Sequence, residues 1–214
     1  MVAIDSARHA LPADPDRRGG IVLAAFAVCA LLAALSWLLA VDGNGWALAS
    51  NMVSRFSLLL FVALVTVEPV ARLVPIALTK MAARAQGGLV LGFITAQALA
   101  LLFLVAPSRL VEGRLALQTV AFCAVTACIL VVFALVSLKM VERRFGGPAT
   151  RTLRGIANAY FWLVFVLTGL EGSIGPHRPD SWYGISLLLL TFALLVRFAD
   201  AFAAQRRPAA GKVD

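Results

Sequence analysis

Glu68 and Arg72 are the residues whose types and spacing are best suited to chemistry. They stand four residues apart in a long apolar stretch, with Pro69 directly after the glutamate. On a helix this spacing brings a carboxylate and a guanidinium to the same face, where they form an ion pair. The spacing therefore predicts a structural pair, with Arg72 reaching toward the lipid headgroups. The alternative is a carboxylate that carries protons beside a proline kink, since an ionisable group within a membrane is a candidate functional residue.

Other groups with catalytic or ligating chemistry are scarce. The two histidines, His9 and His177, lie outside the apolar runs, so no pair of helix-borne histidines is available to ligate a transmembrane haem. The three cysteines, Cys29, Cys123 and Cys128, lie within apolar runs without CxxC spacing and are predicted to be small packing residues. Motifs such as HExxH and GxSxG are absent. We predict no catalytic, cofactor-binding or metal-ligating residue, and the sequence favours a protein that is not an enzyme.

The elements that must position these residues are membrane-spanning helices. Of the 214 residues 61% are apolar and only 14% are charged, and the mean hydropathy is +0.91. Soluble domains carry about 25% charged residues, so the composition excludes a soluble globular domain. A helix needs about 20 apolar residues to cross a bilayer. Six runs meet this length, and they are approximately Ile21–Val41, Val53–Ala77, Gly87–Ala106, Leu115–Leu138, Gly155–Ile174 and Tyr183–Phe202.

These runs predict an all-α integral membrane protein, a bundle of six transmembrane helices over residues 21–202. Residues 1–20 and 203–214 are expected to be a polar tail and a basic tail. The first run is longer than the core of a signal peptide, which has about 7–15 residues, so it is expected to be a retained helix.

The distribution of cations predicts the orientation of the bundle. The formal net charge is +8, and of the 19 Lys and Arg residues all but Arg55, Arg109, Arg114 and Arg178 fall on the side that holds both termini. Cytoplasmic segments of membrane proteins are enriched in Lys and Arg, so both termini are predicted to be cytoplasmic, in an inner (plasma) membrane. The cations lie in short segments between apolar runs, which indicates contact with the lipid bilayer and not with nucleic acid.

The third run carries a face of small residues at intervals of four, comprising Gly88, Gly92, Ala96 and Ala100. Small residues at this spacing let a second helix approach closely, and Gly88 and Gly92 form a GxxxG motif. The face is predicted to pack against another helix, either within the chain or in a dimer.

The order of features from the second run onward is similar to that of the ferric reductase-like transmembrane domain family. These are six-helix, cytochrome b-like membrane proteins that include the haem subunit of methionine sulfoxide reductase systems. The resemblance covers residues 50–200 and rests on SRFSLLLF at 54–61, PVARLVP at 69–75, GLVLGF at 88–93, SLK at 137–139, ERRFG at 142–146, LRGI at 153–156, YFWLVF at 160–165, and Arg197.

The resemblance implies haem b held by histidines of the third and fifth helices. Here Arg154 stands where the family has the histidine of the fifth helix, and the corresponding stretch of the third helix, residues 95–101, contains Gln97 but no histidine. Arginine does not deprotonate to bind iron, and glutamine is a poor haem ligand. The resemblance therefore implies a branch of the family that lacks haem.

Three functions compete on these residues. The first is a non-enzymatic accessory or binding subunit, associated with the bilayer and with another membrane or redox subunit. The second is a membrane electron-transfer protein that uses haem or quinone through unusual ligands. The third is a small proton-coupled transporter that uses Glu68. The absence of the expected ligands and motifs favours the first.

Overall fold

Seven helices account for nearly all of the described part of the protein. The computed structural model describes residues 15–40, 45–111, 117–137, 147–174 and 181–206. In chain order the helices are α1 (Pro15–Leu39), α2 (Gly45–Leu73), α3 (Ala77–Arg84), α4 (Gln86–Val111), α5 (Leu117–Val136), α6 (Gly147–Ile174) and α7 (Ser181–Arg206). Six of them are long and apolar enough to cross a membrane, the exception being the eight-residue α3. The prediction of an all-α protein with six candidate spans is confirmed.

The second span begins and ends earlier in the chain than predicted. It begins at Gly45 and stops at Leu73 instead of continuing to Ala77. Pro75 explains the stop, since a proline disfavours helical backbone at the residue before it. The chain then forms α3, which hydropathy did not predict because this helix is short and mixes apolar residues with Lys80 and Arg84.

Helices α1, α4, α6 and α7 extend beyond the predicted apolar runs. Helix α6 begins at Gly147 and includes Pro148 in its first turn, where a missing N–H breaks no helical hydrogen bond. Helix α1 begins at Pro15 and α7 continues to Arg206, so both enter the stretches expected to be tails. The rest of those tails, and the predicted run ends at residues 41, 115 and 138, lie outside the described residues.

Side-chain contacts define the direction of each span. Ser57 of α2 bonds to Gln97 of α4, and Glu68 of α2 bonds to Gln86 of α4. The two helices are therefore antiparallel. Contacts between α5 and α6, and between α6 and α7, show the same antiparallel relation. Helices α2 and α7 run parallel, with contacts at both ends. Successive spans therefore cross the bundle in alternating directions.

Five helices form a closed ring around an aromatic core. Following contacts from one helix to the next, the order is α2, α4, α5, α6, α7 and back to α2. The interior is filled by buried phenylalanines whose ring centroids lie 5.0 to 6.5 Å apart, namely Phe61, Phe93, Phe133, Phe161 and Phe165. Edge-to-face and tilted contacts at these separations are favourable for aromatic rings. The centre of the ring is therefore packed with side chains.

Helix α1 lies outside this ring and packs against α2 and α4. Cys29 of α1 is fully buried in a small cluster with Val53 of α2 and with Ala96 and Ala100 of α4. The opposite side of α1 exposes large apolar residues, as does much of α5 and α7. An apolar exterior of this kind is what helices in contact with lipid chains present.

Candidate functional site

Glu68 and Arg72 belong to a network that joins three helices. The structure pairs the Glu68 carboxylate with the Arg72 guanidinium, as their spacing predicts. Arg72 Nη1 also donates to Asp200 Oδ2 of α7 at 3.0 Å, and Gln86 Nε2 of α4 donates to Glu68 Oε2 at 3.3 Å. Both Arg72 and Glu68 remain about half exposed, at 50% and 47%, while Asp200 is 16% exposed. The pair is thus a connection between α2, α4 and α7 at one end of the bundle.

Two further arginines lie beside this network. Arg197 is one turn before Asp200 on α7 and interacts electrostatically with Glu68, Arg72 and Asp200. Arg154 of α6 approaches the carbonyl of Val136, near the end of α5, with Nη2 at 3.5 Å from the oxygen. We call this part of the bundle the charged end, defined by Glu68, Arg72, Gln86, Arg154, Arg197 and Asp200.

Of the clefts that open at the charged end, two are lined in part by residues of α6. The polar cleft, about 240 Å³, lies between five helices and is lined by Glu68, Gln86, Ser137, Arg154, Asn158 and Arg197, with Leu64, Gly87, Val90 and Phe133. The lateral cleft, about 260 Å³, lies between α6 and α7 over a floor formed by α2. It is lined by Phe61, Val65, Gly155, Asn158, Ala159, Trp162, Leu194 and Arg197. Asn158 and Arg197 line both clefts.

Two polar atoms of α6 are buried without a hydrogen-bond partner in the described part of the chain. They are Oδ1 of Asn158 and Nε1 of Trp162. A buried polar atom without a partner is unfavourable, because it has lost its hydrogen bonds to water. Arg154, Asn158 and Trp162 follow one another at intervals of four residues. Such spacing places them on one face of α6, from the charged end toward the interior.

Sequence reasoning singled out only part of this site. It found Glu68 and Arg72 because they are close in the chain, but it did not connect them to Gln86 or Asp200. Arg154 directly precedes the fifth run, and Asn158 and Trp162 follow it at intervals of four residues; this signal was missed. An amide within an apolar run marks a helix face that is not wholly in contact with lipid.

The residues between the third and fifth spans do not fit the haem that the family resemblance implies. Gln97 of α4 is buried and its Oε1 accepts a hydrogen bond from Ser57 at 2.6 Å, while Arg154 of α6 lies at the charged end. Between these helices, Phe93 and Phe161 make an edge-to-face contact with centroids 5.0 Å apart. Phenylalanine rings therefore fill the space between α4 and α6 at this level of the bundle.

The small-residue face of α4 is used within the chain. A Cβ at Gly88 would lie 2.4 Å from Cδ1 of Ile21 on α1, and one at Gly92 would lie 3.4 Å from Cβ of Ala25. Ala96 and Ala100 are buried against α1 and α2. Of the two predicted arrangements, the structure has the one in which this face receives a helix of the same chain.

Groups able to bind a metal are sparse in the described ranges. No cluster of three or more His, Cys, Asp or Glu side chains occurs among the residues described. Cys29 is buried, Cys123 is half-buried and Cys128 is exposed, and all three are free thiols. His9 and His177 lie outside the described residues.

Comparisons with protein-family models, with curated proteins and with solved structures return no match.

The charged end has side chains that can bind a ligand. Its residues offer guanidinium groups and amide groups beside an apolar cleft, a set suited to an anionic amphiphile.

Proposed function

We propose that this chain is a multi-pass protein of an inner (plasma) membrane that acts as a non-enzymatic accessory or binding subunit. In this proposal it has a ferric reductase-like, cytochrome b-like scaffold that carries no haem, and it associates with the bilayer and with another membrane or redox subunit. The observation that carries the proposal is the aromatic core. Phe93 and Phe161 meet between the two helices that would hold haem b in the family.

The placement of charged residues supports this function. The ion pairs of Arg72 with Glu68 and Asp200 lie at the charged end, and the interior of the ring holds phenylalanines. An electron carrier or a proton pathway needs a cofactor or a chain of polar groups through the bundle. A binding subunit needs only a recognition surface, and the charged end provides one.

The proposed orientation places the charged end in the cytoplasm. Helix α3 lies at this end, between α2 and α4, and carries Lys80 and Arg84 together with the exposed side chains of Leu78 and Met81. A short helix with cations and exposed apolar residues suits the headgroup region of a bilayer. Anionic headgroups of the cytoplasmic leaflet would attract these cations.

An absorbance spectrum of the purified protein tests the proposal. The chain is expressed with haem supplied, purified in detergent, and measured oxidised and after dithionite reduction, together with a pyridine haemochrome assay. We expect no Soret band from protein that elutes as a single folded species. A band corresponding to about one haem per chain would overturn the proposal in favour of the electron-transfer alternative, and ligands such as His177 or a thiolate would then have to be tested.

A further inference from the structure

The lateral cleft has an apolar lower part that is open to the surroundings of the bundle. Its floor is formed by Phe61 and Val65 of α2, which are buried. Its walls include Gly155 and Ala159 of α6 and Leu194 of α7, all of which are exposed. A Cβ added at Gly155 would meet nothing within 4 Å. An acyl chain can therefore enter this cleft from the side and lie against α2.

The upper part of the same cleft carries polar groups with unused hydrogen-bonding capacity. The guanidinium of Arg197 makes no hydrogen bond to a residue in the described ranges, although it lies near two carboxylates. Asn158 and Trp162 each have a buried polar atom without a partner. At 1.5 Å per residue, Asn158 and Trp162 lie about 6 and 12 Å deeper along α6 than Arg154. A ligand that fits has an anionic group at the level of the arginines and acceptor oxygens below it.

The charged side chains of the two clefts and of the adjoining network have a positive net charge. Glu68 and Asp200 both bond to Arg72, which makes that group of three net anionic by one charge. Arg154 and Arg197 add two positive charges, so the charged end carries a net charge of +1. A phosphate diester with one negative charge balances it, whereas a zwitterionic headgroup brings its own cation into a site that already has one in excess.

We propose that the lateral cleft binds one anionic phospholipid. Its phosphate binds Arg197, which also lines the polar cleft beside Arg154. The Trp162 indole N–H donates to an ester carbonyl, and one acyl chain lies on Phe61 and Val65. The Asn158 carboxamide accepts a hydroxyl hydrogen or, turned by 180°, donates to an ester oxygen. This inference requires only that the helices span a bilayer. It does not depend on the absence of haem or on an accessory role.

Native mass spectrometry of the full chain, released from detergent micelles, tests the proposal. The delipidated protein is titrated separately with phosphatidylglycerol and with phosphatidylcholine of the same acyl chains. We expect one molecule of phosphatidylglycerol to bind at least about five-fold more tightly than phosphatidylcholine, because the choline ammonium brings a second cation close to the arginines and is repelled by them. Equal affinities for the two lipids would overturn the proposal.

Variants identify the site. Arg197→Gln is expected to remove the preference for phosphatidylglycerol. Its matched control is Arg206→Gln, which removes the same charge from the end of α7, outside both clefts. Trp162→Phe keeps an aromatic ring but removes the N–H donor, and we expect it to weaken binding of phosphatidylglycerol about five-fold. Equal effects of Arg197→Gln and Arg206→Gln would show nonspecific attraction and overturn the proposal.

A competition experiment distinguishes a lipid from a free phosphate. Inorganic phosphate in large excess is added to the complex with phosphatidylglycerol. The lipid is expected to remain bound, because its acyl chain contributes contacts that phosphate lacks. Displacement by inorganic phosphate would mean that the charged end is an anion site without a lipid cleft. Circular dichroism and size-exclusion profiles are measured for each variant, and Trp162→Phe, which preserves packing, keeps the test decisive if Arg197→Gln does not fold.

Discussion

The hydroxyl of Ser57 donates a hydrogen bond to Oε1 of Gln97 across 2.6 Å, and both side chains are buried between α2 and α4. Helices α2 and α4 have the most extensive contact of any helix pair in the described part of the bundle, and both also contact α1. In an apolar surrounding neither group has water as an alternative partner. The bond therefore helps to set the register of α2 against α4.

Ser57→Ala is predicted to lower the free energy of unfolding by about 1–2 kcal/mol, because Gln97 Oε1 is left buried without its donor. The measurement is the equilibrium unfolding of the purified protein in mixed micelles. Ser36→Ala is the matched control, since the buried Ser36 hydroxyl donates to the Leu32 carbonyl of its own helix, at 2.7 Å. Equal losses in the two variants would show that the bond between helices adds nothing.

Gly88→Ala is predicted to destabilise the contact of α1 with α4. The new Cβ would overlap Cδ1 of Ile21 and lie 3.1 Å from its Cβ, so the Ile21 side chain must change rotamer and α1 must give by a few tenths of an ångström. Overpacking of this kind costs about 1–3 kcal/mol. Thermal unfolding in detergent, followed by circular dichroism, measures the loss. Gly92→Ala is the control, because its Cβ makes an ordinary contact at 3.4 Å, and its midpoint is expected to match that of the unmodified protein. A Gly88→Ala midpoint as high as that of Gly92→Ala would contradict the observed packing.

Arg72→Gln is predicted to destabilise the protein more than Glu68→Gln. The arginine variant leaves the Glu68 and Asp200 carboxylates without their common guanidinium, whereas Glu68→Gln leaves the bond from Arg72 to Asp200 in place. The groups are half exposed, so we expect losses of only about 1 kcal/mol for Arg72→Gln and less for Glu68→Gln. Unfolding midpoints of the two variants and of the unmodified protein, measured in low salt, show which variant is less stable. The transporter alternative expects a different result for Glu68→Gln, namely an unchanged midpoint together with loss of an activity.

Phe161→Ala is predicted to cost about 2–4 kcal/mol by leaving a cavity within the ring. Lipid is as apolar as the core, so the loss comes from missing packing contacts and not from transfer out of water. Phe192→Ala is the control, since Phe192 is 56% exposed and lipid fills the space that it vacates. Steric-trap or denaturant unfolding distinguishes the two variants. Equal stability of Phe161→Ala and Phe192→Ala would mean that the aromatic core does not hold the ring together.

Hydropathy predicted the six spans because the requirement for about 20 apolar residues is local in the chain. The pairing of Glu68 with Arg72 could be predicted for the same reason, since four residues correspond to one helical turn. The contact of Asp200 with Arg72 could not be predicted, because the two residues lie on different helices, 128 positions apart in the chain, and no periodicity relates them. Helix α3 was missed because eight residues of mixed polarity give no hydropathy signal.

The position of α1 outside the ring sets an order for assembly. Synthesis proceeds from α1 toward α7, so the first span reaches the bilayer before the groove of α4 that receives it has been made. The contacts of Ile21 and Ala25 with Gly88 and Gly92 can form only after α4 has been made. The ring closes last, when α7 meets α2 and Asp200 reaches Arg72. A nascent chain that stops after α4 already contains the partners of its first span and of Glu68, whereas Arg72 still lacks Asp200.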